Sequence, residues 1–107
     1  MKGTHLGEFE ELVLLTCALL VDTAYSVTIA AEIEKQTNRS ITLSTVHTAL
    51  YRLEEKGFVE SYMGGATGER GGRRRRLYRI SAAGFDALNQ ARSIRDNMWQ
   101  MMPDYKF

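Results

Sequence analysis

Residues 42–61 read TLSTVHTALYRLEEKGFVES, and this stretch contains a helical pattern together with signals for both of its ends. Its apolar residues recur at every third or fourth position, as on one face of a helix: Leu43, Val46, Ala49, Leu50 and Leu53. Thr42 suits the N-cap because its hydroxyl can accept a hydrogen bond from the first turn, and Gly57 is a C-terminal break. The pattern therefore predicts an amphipathic helix from Leu43 to Lys56.

A second helical pattern stands just before this one. Between Tyr25 and Thr37 the apolar residues Val27, Ile29, Ala30 and Ile33 define one face, and charged or amide side chains occupy the other. Asn38 tolerates the left-handed backbone conformation, so we expect the helix to stop there. Two helices joined by a short polar turn are the core of a helix-turn-helix motif.

The outer face of the helix at residues 43–56 carries hydrogen-bonding side chains. Opposite the apolar stripe lie Ser44, Thr48, Tyr51, Arg52 and Glu55, with Thr45 and His47 on the flanks. Such donors and acceptors suit base edges and phosphates, and a helix fits the major groove. Arg52 is the residue in this set that can contact guanine through two hydrogen bonds. By itself, the same pattern also describes a helix face that is merely exposed to solvent.

The hydrophobic period changes after Gly57. Residues 58–63 are rich in aromatic and β-branched side chains, and residues 64–72 contain five glycines. The segment from Arg73 to Ile80 again contains strand-forming side chains, namely Leu77, Tyr78 and Ile80. Residues 58–80 therefore predict a β-hairpin with a long tip. A hairpin that follows a helix-turn-helix is a wing.

Positive charge is concentrated in this hairpin. The chain has a formal net charge of +1, yet residues 70–79 carry six arginines and no acid, while residues 1–39 carry three basic and six acidic residues. In a strand, Arg74 and Arg76 share a face with Tyr78, and Arg73, Arg75 and Arg79 share the other with Leu77. Such a ribbon can follow a phosphate backbone or enter a narrow minor groove. The alternative is a solvated basic tail.

The two end helices predict a second subunit. The helix expected at Glu8–Val21 is apolar around most of its circumference, and the helix expected at residues 82–102, capped by Ser81 and ended by Pro103, carries an apolar stripe. We expect a homodimer interface of Leu12, Leu15, Leu19, Leu88, Ala91, Ile94, Met98, Trp99 and Met101. Packing on the chain's own core is the alternative for the last helix. Its methionines and tryptophan either fill gaps or form an adaptable site for a small hydrophobic effector.

Composition excludes several other classes of protein. The chain has 107 residues and one cysteine, Cys17, so a single domain without an internal disulfide or cysteine-based zinc site is expected, in the reducing cytoplasm. The largely apolar run Leu12–Val21 is too short for a membrane span. His5 and His47 have no acidic neighbours at ligand spacing, so we predict no metal, no cofactor and no catalytic site.

Four segments resemble the PadR family of bacterial transcription regulators. They are LGEFEELVLLTCALL at residues 6–20, AYSVTIAAEIEKQT at 24–37, TLSTVHTALYRLEEKGFVES at 42–61, and GERGGRRRRLYRIS at 68–81 followed by AAG. The resemblance implies a dimer formed through the C-terminal helix and repression at an inverted-repeat operator, relieved by a small molecule in several members. It places DNA contacts on Ser44, Thr45, His47, Thr48, Tyr51, Arg52, Arg73, Arg74, Arg75 and Arg76. Many members have tyrosine where this chain has His47.

The sequence therefore predicts a mainly α-helical protein with a small β-hairpin wing. Residues 6–81 would form a winged helix-turn-helix and residues 82–102 a C-terminal dimerisation helix, together making one domain of residues 1–107. The expected function is sequence-specific binding of double-stranded DNA by a transcriptional regulator. A winged-helix module for protein–protein interaction is the main alternative, since fold alone does not fix function. RNA binding is a third, although no exposed aromatic platform for unstacked bases is evident.

Overall fold

A computed structural model describes residues 5–64 and 74–107 of the chain. Within these ranges the element order is α1 (Glu8–Leu19), α2 (Ser26–Thr37), α3 (Leu43–Glu55), β1 (Val59–Met63), β2 (Arg76–Ile80) and α4 (Ala82–Met101). The two strands form one antiparallel pair, with Val59 opposite Ile80 and Met63 opposite Arg76. The predicted architecture, mainly helical with a β-hairpin wing, is confirmed. Arg73 and most of the glycine-rich tip lie outside the described residues.

The predicted caps of α2 and α3 are present. The Oγ1 atom of Thr42 accepts a hydrogen bond from the backbone N–H of Thr45 at 3.3 Å. Asn38 ends α2 with φ 59°, and Gly57 follows α3 with φ 77°, both in the left-handed region. These three residues fix the limits of the helix-turn-helix because each supplies a backbone or side-chain geometry that stops or starts a helix.

Several predicted boundaries were wrong by a few residues. α1 ends at Leu19 and not at Val21, because the chain turns at Asp22, which has φ 63°. β1 begins at Val59 because the N–H of Phe58 donates to the carbonyl of Leu53, at the end of α3. β2 begins at Arg76, so Arg74 and Arg75 precede the strand. α4 ends at Met101, and Met102 is its C-cap.

One small core holds the first three helices together. Leu14 of α1, Ile29 of α2 and Leu50 of α3 are fully buried in it, as are several neighbours on each helix. Cys17 is buried among them, and burial raises the pKa of its thiol to about 12, so the thiol stays protonated in the core. Each helix is thus fixed in rotation about its axis, because only one of its faces can enter the core.

The wing is attached to this core through β2. Tyr78 is buried, and its backbone N–H donates to the carbonyl of Ala24 at 2.9 Å, in the segment just before α2. This contact brings the base of the wing against the start of the helix-turn-helix. None of the helices in the described ranges is both long and apolar enough to cross a membrane.

α4 leaves the wing through a close backbone contact at Gly84. Ser81 caps the helix by accepting from the N–H of Gly84 at 3.1 Å, and its own hydroxyl donates to the carbonyl of Gly57 at 2.6 Å. A Cβ atom on Gly84 would overlap the carbonyl oxygen of Phe58 and lie 3.0 Å from Cγ1 of Ile80. Glycine is therefore required where α4 crosses the chain between α3 and β1.

We expect Gly84→Ala to lower the free energy of unfolding by about 1 to 3 kcal/mol, the usual cost of forcing an atom into a packed site. Urea unfolding followed by circular dichroism measures it. Gly7→Ala is the matched control, since a Cβ there meets no atom within 4 Å. It should cost less than about 1 kcal/mol, from the weaker N-cap alone. Equal losses in the two variants would show that the crossing at Gly84 is not tight.

Candidate nucleic-acid interface

The predicted contact residues on α3 all face solvent. Ser44, Thr45, His47, Thr48, Tyr51 and Arg52 are exposed. Val46, Leu50 and Leu53 on the opposite side are fully buried. The predicted outer face is therefore correct, with one exception on the inner stripe. Leu43 is 44 % exposed, because it stands at the first position of α3, before the helix reaches the core.

The short hydroxyl side chains at the start of α3 form a connected group. Oγ1 of Thr42 lies 2.7 Å from Oγ1 of Thr45 and 3.2 Å from Oγ of Ser44, and Thr48 donates to the carbonyl of Ser44 at 3.0 Å. The hydroxyls of Ser44, Thr45 and Thr48 are exposed, and each can still accept a hydrogen bond from a ligand, since such an oxygen carries two lone pairs. The start of α3 thus presents small, oriented polar groups that allow a ligand to approach the helix closely.

A carboxylate on α1 organises the other end of this face. Oε1 of Glu10 lies 2.6 Å from Nζ of Lys56, and Lys56 also donates to the carbonyl of His5 at 2.6 Å. The side chains of Glu10 and Lys56 are only 12 % and 16 % exposed. Arg52 lies farther from Glu10, with 3.9 Å between Nη1 and Oε2, and its side chain stays 62 % exposed. Arg52 is thus oriented by Glu10 and still free to contact a ligand.

The wing arginines take different positions from those expected in a continuous strand. The guanidinium carbon of Arg75 lies 4.7 Å from the ring centroid of Tyr25, a cation–π contact with the residue before α2. Nη1 of Arg76 donates to Oγ of Ser61 at 3.0 Å, and Ser61 donates to Glu54 at 2.9 Å. Arg74 is exposed. The prediction that Arg75 shares a strand face with Leu77 was wrong, because Arg75 precedes β2, which begins at Arg76 and not at Arg73.

Arg79 lies on the opposite face of the hairpin, as predicted for a ribbon with arginine on both sides. Its guanidinium carbon is 4.5 Å from the ring centroid of Tyr62, whose hydroxyl donates to Oδ1 of Asp22 at 3.2 Å. This chain of contacts ties the outer face of the wing to the turn between α1 and α2.

α3 and the wing meet at a shared cleft. A cavity of about 420 Å³ is lined by Tyr25, Ser26, His47, Arg75, Arg76 and Tyr78. The cleft thereby brings together three residues that the sequence predicted as contacts, His47, Arg75 and Arg76. Burial is the largest cause that raises the pKa of Tyr78 above its ordinary value, so the phenol stays neutral at physiological pH. Tyr25 and Ser26 were not predicted as site residues, because helix periodicity places them only at the start of α2.

The predicted dimer residues divide into two groups. Leu12 and Leu88 are half-buried and pack against the chain's own core, and Ala91 is half-buried. The other six are exposed: Leu15, Leu19, Ile94, Met98, Trp99 and Met101. Exposure reaches 60 % at Leu19, 70 % at Trp99 and 80 % at Met101. A large apolar surface on α1 and α4 is therefore uncovered in the single chain.

A helix-turn-helix followed by a two-stranded hairpin and a long helix defines a winged helix-turn-helix protein. The chain matches the model of the transcriptional regulator PadR-like family over residues 16–90, which is more than half of its length. It therefore belongs to the PadR-like family, whose members are transcriptional regulators and not enzymes. No curated protein sequence matches the chain.

Solved structures share the fold. A PadR family transcription regulator from Clostridium difficile R20291 is 25 % identical, with a TM-score of 0.63, 91 % of this chain and 100 % of that chain covered. A transcriptional regulator from Clostridium thermocellum is 26 % identical, with a TM-score of 0.65 and 85 % of each chain covered. Bacillus subtilis PadR in complex with operator DNA is 14 % identical, with a TM-score of 0.61. The match covers 94 % of this chain and 50 % of that chain.

The pair of Glu10 and Lys56 supplies a test of how α3 is held. Glu10→Gln leaves the charge of Lys56 largely desolvated and without a counterion. We therefore expect the free energy of unfolding to fall by about 2 to 3 kcal/mol. Glu8→Gln is the control because it also removes an acid from the first turn of α1. The ion pair of Glu8 with Arg39 is exposed, so its loss should cost less than about 1 kcal/mol. Chemical denaturation distinguishes the two, and equal losses would contradict the special role of Glu10.

Proposed function

We propose that the protein is a transcriptional regulator that binds double-stranded DNA in a sequence-specific manner. One observation carries the proposal: His47, on the exposed face of α3, and two arginines at the base of the wing, Arg75 and Arg76, line one cleft. An exposed helix of this kind suits the major groove, and arginines beside it suit the flanking phosphates. Bacillus subtilis PadR, which has a similar fold, is seen with operator DNA, and this supports the proposal.

Roles can be assigned to the individual side chains. We assign base contacts to Ser44, Thr45, Thr48, Tyr51 and Arg52, which lie along the exposed face of α3. We assign phosphate contacts to Arg73, Arg74, Arg75 and Arg76. Arg52 is the side chain most able to discriminate, since its guanidinium can donate two hydrogen bonds to the O6 and N7 atoms of guanine.

We further propose a homodimer that represses transcription at an inverted-repeat operator in the cytoplasm. Residues 6–81 would bind DNA and residues 82–102 would pair with the second subunit. The exposed apolar residues of α1 and α4 support this, because burying them in a twofold interface removes that surface from water. A groove of about 280 Å³ lined by Arg95, Met98, Trp99 and Met102 would offer a small hydrophobic effector a site near the interface.

The DNA-binding proposal is tested by selecting bound fragments from genomic DNA and titrating the selected duplex at rising KCl. We expect the dissociation constant to rise at least about 100-fold between 50 and 200 mM salt, because several phosphate contacts release counterions. Arg52→Ala should weaken binding to the selected site by about 10- to 100-fold and change binding to a mixed-sequence duplex little.

Arg92→Ala is the matched control for that titration. Arg92 is an exposed arginine on α4, paired with Asp96 at 3.5 Å, and lies outside the α3 face. Its removal should leave both affinities unchanged. Binding that is insensitive to salt, or intact after neutralising Arg74, Arg75 and Arg76 together, would reject the proposal and favour a protein–protein interaction module.

The dimer is tested by measuring molar mass in solution with light scattering. We expect the wild-type chain to have the mass of a dimer and the double variant Ile94→Asp with Met98→Asp to be monomeric, because two carboxylates would be buried without partners. The control is Asn89→Asp with Ser93→Asp, on the opposite and exposed face of α4. If the variant with Ile94 and Met98 replaced remains dimeric, the interface is to be assigned to α1 and not to α4.

A further inference from the structure

We propose that the cleft between α2, α3 and the wing binds one phosphate of the DNA backbone, with Tyr25 positioning Arg75 and His47 adding a hydrogen-bond donor. This inference rests on the proposed DNA binding and assigns a role to Tyr25 and Ser26, which neither helix periodicity nor the arginine run singled out. It also explains how this chain can use a histidine at position 47.

The lining of the cleft has the chemistry of an anion site. Arg75 and Arg76 supply two fixed positive charges, and Ser26, Tyr25 and His47 supply groups that can donate hydrogen bonds. No carboxylate belongs to the lining. Among the described residues, neither Arg75 nor Arg76 forms a salt bridge. Neither guanidinium is paired directly with a carboxylate that the structure describes, and a phosphate would supply a direct counter-charge.

Tyr25 holds Arg75 without neutralising it. The ring lies 4.7 Å from the guanidinium carbon, so it limits the rotation of a long side chain while leaving its donors available. Because Tyr25 is the N-cap of α2, its ring is fixed to the helix-turn-helix and not to the wing. Arg75 is thereby held toward the body of the protein, beside α3. A guanidinium held in this way loses less conformational entropy when it binds a phosphate.

Arg76 is held from the other side by a relay. Glu54 at the end of α3 accepts from Ser61, and Ser61 accepts from Arg76. The relay uses one nitrogen of the guanidinium and leaves the others to the cleft. The two arginines are thus each positioned by a residue outside the wing loop, which suits a contact of fixed geometry.

His47 adds a donor from α3 to the cleft. It lines the cleft with two arginines, two tyrosines and a serine, and an imidazole ring has an N–H group that can donate to a phosphate oxygen. The cleft therefore receives donors from α2, α3 and the wing.

A phosphate contact and a base contact have different signatures. Losing a phosphate contact weakens binding to all sequences equally. It also lowers the slope of the logarithm of affinity against the logarithm of salt concentration by about one. Losing a base contact weakens only the selected site. A 30-base-pair duplex of mixed sequence is therefore the right probe for the cleft, and it requires no knowledge of the operator.

The positioning role is tested by fluorescence anisotropy with this duplex over a series of KCl concentrations. Tyr25→Leu should raise the dissociation constant about fivefold and lower the salt slope by about one, whereas Tyr25→Phe, which keeps the ring, should leave both near the wild type. Ser26→Ala should raise it about twofold, by loss of one hydrogen bond. In the background of Arg75→Ala, Tyr25→Leu should add nothing. Independent, additive losses would overturn the positioning role.

The contact of His47 is tested by the same salt titration with the mixed-sequence duplex. His47→Ala should raise the dissociation constant about twofold, by loss of one hydrogen bond. His5→Ala is the matched control because His5, the other histidine of the chain, does not line the cleft. Equal affinities of His47→Ala and the wild type would overturn the assignment to His47.

Failure of the cleft and failure of DNA binding give different results. A wild-type protein that binds no duplex would reject the proposed function as a whole. A wild-type protein that binds with a steep salt slope, together with an unchanged slope in Tyr25→Leu and Arg75→Ala, would reject only the cleft. Circular dichroism and urea unfolding of each variant confirm that a loss of binding does not come from unfolding, and Arg75→Ala changes an exposed side chain.

Discussion

The arrangement of this molecule depends on one constraint: α1, α2 and α3 must bury one face each in a single small core. Leu14, Ile29 and Leu50 meet there without exposure to solvent. Because a close-packed core admits few alternative rotations of a helix, the choice of the inner face also fixes the outer one. The direction of Ser44, Thr48 and Arg52 therefore follows from the burial of their neighbours on α3. The hydroxyl contacts at the start of the helix refine that direction and do not create it.

The wing takes its position from the same core. Tyr78 is buried and its N–H is bonded to the carbonyl of Ala24, while the next residue, Tyr25, carries Arg75 on its ring. Two consecutive residues before α2 thus place both the strand and the arginine that precedes it. The nearness of α3 and the wing is a consequence of docking β2 on the loop before α2. A cationic segment that would move freely in isolation is brought beside the polar helix face in this way.

Much of the fold can be predicted from the sequence because the signals for it are local. The stripe from Val46 to Leu53, the caps at Thr42 and Ser81 and the left-handed stop at Asn38 depend only on neighbours within a few turns. The pairs Glu10 with Lys56 and Tyr25 with Arg75 join residues far apart in sequence, and no local pattern specifies them. The placement of Arg75 was mistaken because strict alternation holds only within a strand, which begins at Arg76. Leu43 belongs to the apolar period but lies at the helix end, beyond the reach of the core.

The close crossing at Gly84 makes α4 a lever. The helix has 20 residues and extends about 25 Å beyond a pivot at Gly84 that touches the chain between α3 and β1. A tilt of about 10° at that pivot would displace Met98 and Trp99 by about 4 Å. A change in the tilt of α4 would therefore act at this crossing and at the ion pair of Arg95 with Glu11 of α1, with 2.7 Å between Nη1 and Oε1. The spacing and orientation of two such α3 helices would be set at a point distant from both.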